Sequence, residues 1–325
     1  VTPTRRRIGQ FIALTPLLAL PFAALAQSYP SKPITVVVPY APGGGVDIVT
    51  RIVAQELGSA LGQTVIVDNK PGASTNIGMA AVAKAPADGY TLLTASPTLA
   101  SNAALFKKLS FNPAEDFTAI GKIGYAPLVI VVPANSPFKS LKELIDGSKR
   151  EKSELSYGSA GNGSSGHLAS ELLIQQTGLK AIHIPYKGGS PAITDLIGGR
   201  VSFMSINPLE VISHIQSGSL RALAVYGSKP TDTLPSLPTT QSLGWPKLDA
   251  TVWWGLVGPR NLPPEVVQRL NGELQKVLAR KDVQDKLAAR GAIVDTGSAQ
   301  KFADFSKSEI VKWGQVIKDA GILAD

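Results

Sequence analysis

The chain contains no cysteine. That excludes disulfides, thiolate metal sites, cysteine nucleophiles and the lipidated cysteine of a bacterial membrane anchor. Histidine is scarce, with His167, His183 and His214 the three in 325 residues. They lie apart and form no H-E-x-x-H pair, so no metal site and no metal cofactor is expected. Charged residues make up 17%, and no five basic residues stand together, although Lys and Arg outnumber Asp and Glu by 32 to 24. No nucleic-acid partner is therefore expected. Past residue 26 no run of 18 apolar residues occurs, so no spanning helix is expected. Apolar types, by contrast, reach 44%, with 31 glycines and 24 prolines. A chain of this length has material for about two domains with a large core.

Residues 1–26 read as an address. Arg5, Arg6 and Arg7 precede an apolar stretch, Phe11 to Ala26, broken by Pro16 and Pro21. Ala24-Leu25-Ala26 is a small-x-small cleavage site, so a secretory signal peptide cleaved after Ala26 is expected. The arginines permit twin-arginine export as well as the general route. Cleavage removes three arginines and no acid, taking the formal charge from +8 to +5. The expected location is the periplasm.

Strand-like and helix-like segments then alternate. Ile34–Val38 is a β-branched run, and Val46–Leu61 has helical spacing. Val65–Val67, a short helix at Ile77–Lys84 and Tyr90–Thr94 complete a β-α-β-α-β cycle, the pattern of a doubly wound, mainly parallel sheet. Leu128–Val132 opens a second cycle. After a helix at Leu141–Ser148, strands at Leu155–Tyr157, Ala181–Ile184, Val201–Ile206 and Arg221–Val225 are separated by helices at His167–Thr177, Pro191–Gly198 and Pro208–Gly218. The tail offers a strand at Trp253–Val257, a helix opened by Pro263-Pro264, another at Asp282–Arg290, and a last one from about Lys301. That last helix places Phe302, Phe305, Ile310, Trp313 and Ile317 on one side. It has too few strands for a third domain. The expected division is 27–125 plus 226–325 as lobe 1 and 126–225 as lobe 2. Two crossings, near Gly124–Pro133 and Val225–Ser228, would form a hinge.

Each cycle opens with a glycine-rich loop leading into a helix. In Pro39-Tyr40-Ala41-Pro42-Gly43-Gly44-Gly45, three glycines let backbone amides approach a ligand at a helix start, an anion cradle without a cation. No Walker lysine follows. Asp47 with Arg51 four residues on reads as a helix-surface pair. Gly161-x-Gly163-x-x-Gly166 matches a dinucleotide fingerprint, but the next strand ends in His183-Ile184-Pro185-Tyr186, with no acid for a ribose, so that reading is rejected. A third loop runs from Asn69 to Gly78, and Ser96, Thr98 and Asn102 follow the third strand. All leave carboxyl ends of strands, where ligands of open αβ sheets bind.

Catalytic patterns are missing. G-x-S-x-G does not occur, and Ser136-Pro137-Phe138-Lys139 fits S-x-x-K without its partner motifs. His167 reads as a helix-start or packing residue. Donors dominate and bases are few, which describes a site that holds its ligand and is not an enzyme. The competing class is an exported hydrolase or decarboxylase acting on a small carboxylate. It would need His167 within bonding reach of Ser164 and an acid.

At these loops the chain resembles the Bug family, receptors of tripartite tricarboxylate transporters. The likeness runs from about Tyr29 to Gly321. It is carried by Tyr29-Pro30-x-x-Pro33, Pro39-x-x-Pro42-Gly43-Gly44, Asn69-Lys70-Pro71-Gly72-Ala73, Asn76-Ile77-Gly78 and Asp88-Gly89-Tyr90-Thr91-Leu92. Further on come Tyr157-Gly158-Ser159-x-Gly161-x-Gly163-Ser164, Pro185-Tyr186-Lys187-Gly188, Gly198-Gly199-x-Val201, Leu234-Pro235-x-x-Pro238-Thr239 and Trp253-x-Gly255-Leu256. The resemblance implies a two-lobed periplasmic-binding-protein fold of the two-crossing type (type II). It implies a small carboxylate as ligand and an inner-membrane permease as partner, or a sensing role. A monomer without cofactors is expected. By motif, first-lobe ligand contacts would come from Ala41, Pro42, Gly43, Gly44 and Gly45, from Ser74, Thr75 and Asn76, and from Ser96 and Thr98. Second-lobe contacts would come from Ser159, Gly161, Asn162, Gly163 and Ser164, from Tyr186, Lys187 and Gly188, and from Asn207. Ser74-Thr75 replaces a common Gly-Gly, Met204-Ser205 a common Phe-Asp, and Ser242 a usual Glu. No named ligand is therefore carried over.

Overall fold

The computed structural model describes residues 29–150 and 155–322. The expected signal peptide lies outside them. In the first lobe β1 (Ile34–Val38), α1 (Gly45–Leu61), β2 (Val65–Asn69), α2 (Asn76–Ala83), β3 (Thr91–Ala95) and α3 (Pro97–Leu105) lead to β4 (Phe117–Pro127). The chain then crosses at Leu128. The second lobe holds β5 (Val129–Pro133), α4 (Leu141–Arg150), β6 (Leu155–Ser159), α5 (Ser165–Thr177), β7 (Ala181–Pro185), α6 (Gly189–Ile197), β8 (Phe203–Ile206), α7 (Pro208–Gln216) and β9 (Leu220–Val225). The return supplies β10 (Thr251–Pro259), α8 (Pro264–Ala279), α9 (Lys281–Ala288), β11 (Ile293–Val294) and α10 (Ala299–Ala320).

The first sheet has the order β11-β4-β10-β3-β1-β2 and the second β7-β6-β8-β5-β9. The pairing is mixed, which corrects the expectation of mainly parallel sheets. β1 pairs parallel with β2 and β3, and β6 with β7 and β8, whereas β10 and β5 run antiparallel to their neighbours. The reason is the crossing. A strand arriving from the other lobe enters at the cleft end, where β1, β3, β6 and β8 finish, and must run against them. The crossings lie side by side: Leu128 N donates to Ala250 O at 3.0 Å, and Tyr226 N to Leu128 O at 2.9 Å.

Local sequence explains the elements that aim the site. Val46, Val49, Val53, Leu57 and Leu61 are buried along one face of α1, and left-handed Gly62 ends the helix. In α10, Phe302, Trp313 and Ile317 are buried as the spacing predicts. Trp253 and Trp313 donate their indole N–H groups to buried Glu309 at 3.0 and 2.9 Å, tying α10 to β10. Leu234 and Leu237, beyond β9, pack against the core under the second sheet. α3, β4 and β11 are the elements the sequence reading did not find.

Candidate functional site

Both sheets end at the cleft, and the starts of α1, α3, α5, α6 and α7 converge there. The first loop is braced from within. Asp47, buried in the first turn of α1, accepts from Gly43 N at 2.9 Å, Arg51 Nε at 2.9 Å and Asn69 Nδ2 at 3.0 Å. Burial pulls its carboxyl up, but the bonds from Arg51, Gly43 and Asn69 outweigh this and hold it below the usual range. The pair with Arg51 therefore exists as read, but its carboxylate is buried and ties down the loop. Beside it Tyr40, Ser96 and Thr98 close a triangle of hydroxyls, each pair 3.0 Å apart. Burial pushes the Tyr40 phenol up.

The loop before α2 is unusual. Ala73, Ser74 and Thr75 all have positive φ, at 45°, 50° and 77°. None is glycine, and such a run is costly, particularly at a β-branched threonine. Asn102 of α3 holds it, donating to Ser74 O at 2.7 Å and Asn76 Oδ1 at 2.8 Å.

In the second lobe Ser164 caps α5, accepting from His167 N at 3.3 Å. The His167 ring accepts at Nδ1 from Gly163 N at 3.1 Å, and His183 Nε2 meets Ser159 Oγ at 2.6 Å. The rings stack 4.0 Å apart, interplanar angle 13°. Burial pushes His167 down to about 4. Burial, then the neighbouring His167, pushes His183 down to about 3. Both are neutral props behind the loop. Ser164 touches the His167 backbone and not its ring, and among the described residues neither ring bonds a carboxylate.

The lobes touch. Ala41 N donates to Lys187 O at 3.0 Å, Ser190 Oγ to Pro42 O at 2.9 Å and Ser101 Oγ to Gly163 O at 2.8 Å. A Cβ on Gly188 would sit 3.0 Å from Ala41 N, and one on Gly161 3.9 Å from Ser74 Oγ. Between these contacts lies a cavity with free volume of about 40 Å³. Tyr40, Gly44, Gly45 and Ser96 wall one side, and Ser164, Gly189, Ser205, Asn207 and Glu210 the other. No Lys or Arg lines it.

All but two of the expected residues fall into three groups. Gly44, Gly45, Ser96, Ser164 and Asn207 line the cavity. Ala41, Pro42, Gly43, Ser74, Gly161, Gly163, Lys187 and Gly188 form the seam where the lobes meet. Thr75, Asn76, Thr98 and Ser159 brace from behind. Asn162 is half-buried in its turn. Tyr186 turns its phenol to Asp195 Oδ2 at 2.8 Å, and burial raises it to about 12. Lys187 contributes its carbonyl. Glu210, Asn102 and Tyr40 were absent from the expected set. Asn207-x-x-Glu210 has the spacing of a helix capping box, the one local signal for Glu210. A second, larger cavity of about 650 Å³ lies by the crossings, with Tyr125, Tyr226 and Asp249 in its wall and none of the glycine loops.

A family profile described as tripartite tricarboxylate transporter family receptor matches residues 49–322. Protein BugT of Bordetella pertussis is 37% identical over 316 residues, covering 97% of this chain and 96% of that protein. Among solved structures, an R. palustris protein with adipate superimposes with a TM-score of 0.88 at 35% identity, covering 91% of this chain and 99% of the other. MatC from Rhodopseudomonas palustris with bound malate gives 0.85 at 29% identity, covering 89% and 100%.

Proposed function

We propose, from the premise that this chain belongs to the tripartite tricarboxylate transporter receptor family, that it is a periplasmic solute-binding receptor. It captures a small carboxylate between its lobes and presents it to an inner-membrane permease of the tripartite type, or serves as a sensor. The observation that supports this is the cavity itself: helix starts, glycine amides and hydroxyls from two separate lobes face one another there beside a single carboxyl, Glu210, with no cation and no nucleophile–base pair. A carboxylate suits such donors, each charge-assisted hydrogen bond contributing about 1.5–3 kcal/mol. Three or four of them, less the cost of ordering, support binding near micromolar. The receptor divides into 27–125 with 226–325 and 126–225, moves about the crossings near Gly124–Pro133 and Val225–Ser228, and acts as a monomer without cofactor or catalysis. Closure follows from the guest touching both lobes at once. The exported-enzyme reading is not favoured, because His167 and His183 are spent on backbone and hydroxyl partners inside one lobe. A thermal-shift screen of mono-, di- and tricarboxylates tests the reading: members that bind raise the melting temperature. A rise with unrelated compounds and none with any carboxylate overturns it.

A further inference from the structure

Asn207 and Glu210 open α7, three residues apart. In that spacing an amide and a carboxylate ordinarily cap their own helix. Here they do not. Asn207 makes no side-chain bond to the amides of α7. Its Nδ2 instead donates to Glu210 Oε1 at 2.5 Å, and the carboxyl reaches the glycine loop of the first lobe, where a Cβ on Gly44 would lie 3.4 Å from Glu210 Oε2. Two glycines, Gly189 of the same lobe and Gly45 of the other, are shaped around this pair. A Cβ on Gly189 would fall 1.7 Å from Glu210 Oε2, and one on Gly45 2.6 Å from Asn207 Nδ2. The anion cradle read from the first glycine loop thus meets a carboxylate of the chain itself.

Two acceptors are left over. Glu210 Oε2 and Asn207 Oδ1 are both buried, and neither has a hydrogen-bond partner. Buried acceptors without donors are costly, and more so when they carry charge. Both belong to residues lining the small interlobe cavity, whose free volume of about 40 Å³ suits an amino or hydroxyl group better than a whole diacid. A second carboxylate would find repulsion there.

We propose that Asn207 and Glu210 form a subsite for a hydrogen-bond-donating substituent of the guest, so that this receptor selects amino- or hydroxycarboxylates over unsubstituted acids. The inference rests on the carboxylate-receptor reading above and narrows it. The acid group of the guest meets the donor side of the cleft, and its amine or hydroxyl meets these two oxygens. Without that substituent, closure buries both acceptors unpaired, and discrimination follows from the penalty.

The test is calorimetric titration with two matched sets: succinate, malate and aspartate, and propionate, lactate and alanine. Wild-type protein should bind a hydroxy or amino member at least tenfold tighter than its parent acid, and the better of the two identifies hydroxyl or ammonium. In Glu210→Met, of similar length and without acceptors, that ratio should fall below threefold while the parent acid still binds. If Glu210→Met lacks a cooperative thermal transition, Glu210→Gln carries the test and should lower the ratio at least threefold. Parent acids binding as tightly as their substituted partners, or a ratio unchanged in the variants, overturns this inference and leaves the receptor reading intact. Failure of all six acids to bind overturns this inference, and the receptor reading is then decided by the wider thermal-shift screen.

Discussion

The loop from Tyr40 to Val46 and the loop from Gly158 to Ser164 each follow a strand and open a helix, one in each lobe, yet they are held by opposite chemistry. The first is fixed by a buried charge, Asp47, with its bonds to Gly43, Arg51 and Asn69. The second is fixed by two uncharged imidazoles, His167 and His183, stacked behind Gly163 and Ser159. A bonded carboxylate and a buried neutral ring can do the same mechanical work. They differ in what acid does to them.

The largest expected effect comes from that difference. An imidazole with an unfolded value near 6.5 and a folded value near 3 or 4 takes up protons only when the chain unfolds. Its support is complete above pH 6.5 and is withdrawn as the pH falls, about 4 kcal/mol for the two rings together at pH 5. Glu210 acts in the other direction. Burial raises it to about 7, so it favours the folded protein below its unfolded value and loses that contribution as the pH rises through 7. Between pH 7 and 5 it returns about 2 kcal/mol. Asp47, held low, keeps its support until the pH falls below the ordinary carboxylate range. Urea melts should therefore show lower stability at pH 5 than at pH 7, less so in His183→Gln and more so in Glu210→Gln. Hydrogen exchange at pH 5 should quicken at Gly158–Ser164 ahead of Tyr40–Val46. Equal loosening of both loops would erase the contrast.

A second contrast concerns glycines. Gly166→Ala puts a Cβ 2.3 Å from the backbone oxygen of Ser205, which cannot step aside, and should cost about 1–3 kcal/mol in urea unfolding. Gly44→Ala meets its nearest atom, Glu210 Oε2, at 3.4 Å, with φ of −75°, and should leave stability within about 0.5 kcal/mol. Between these two lies Asp47→Asn. It keeps one acceptor for Gly43 and loses the charge beside Arg51, a cost of about 1 kcal/mol at neutral pH. A larger loss than in Gly166→Ala would reverse this order.

Some of this was legible along the chain and some was not. Ile34–Val38, Val46–Leu61 and the closing stripe of Phe302, Trp313 and Ile317 announce themselves, because burial on one face imposes a period. β4 does not: Phe117–Pro127 carries Gly121, Lys122 and Gly124 in place of an apolar run, and Gly124 is needed where Ile293 O would lie 2.2 Å from a Cβ. α3 is buried on nearly every side, so Pro97–Leu105 lacks an amphipathic rhythm. Glu210 looks like any acid in a first helical turn.

The sequence by itself determined the two αβ lobes, the glycine loops at the strand ends and the scarcity of catalytic groups, since these depend on local periodicity and on which residue types are present. Only the tertiary structure decided what faces what: that Gly44 meets Glu210, that Asn102 steadies Ser74, and that two histidines 16 positions apart share a stack. The first depends on where two lobes come to rest against each other, the other two on how distant segments of one lobe pack, and no spacing along the chain encodes either.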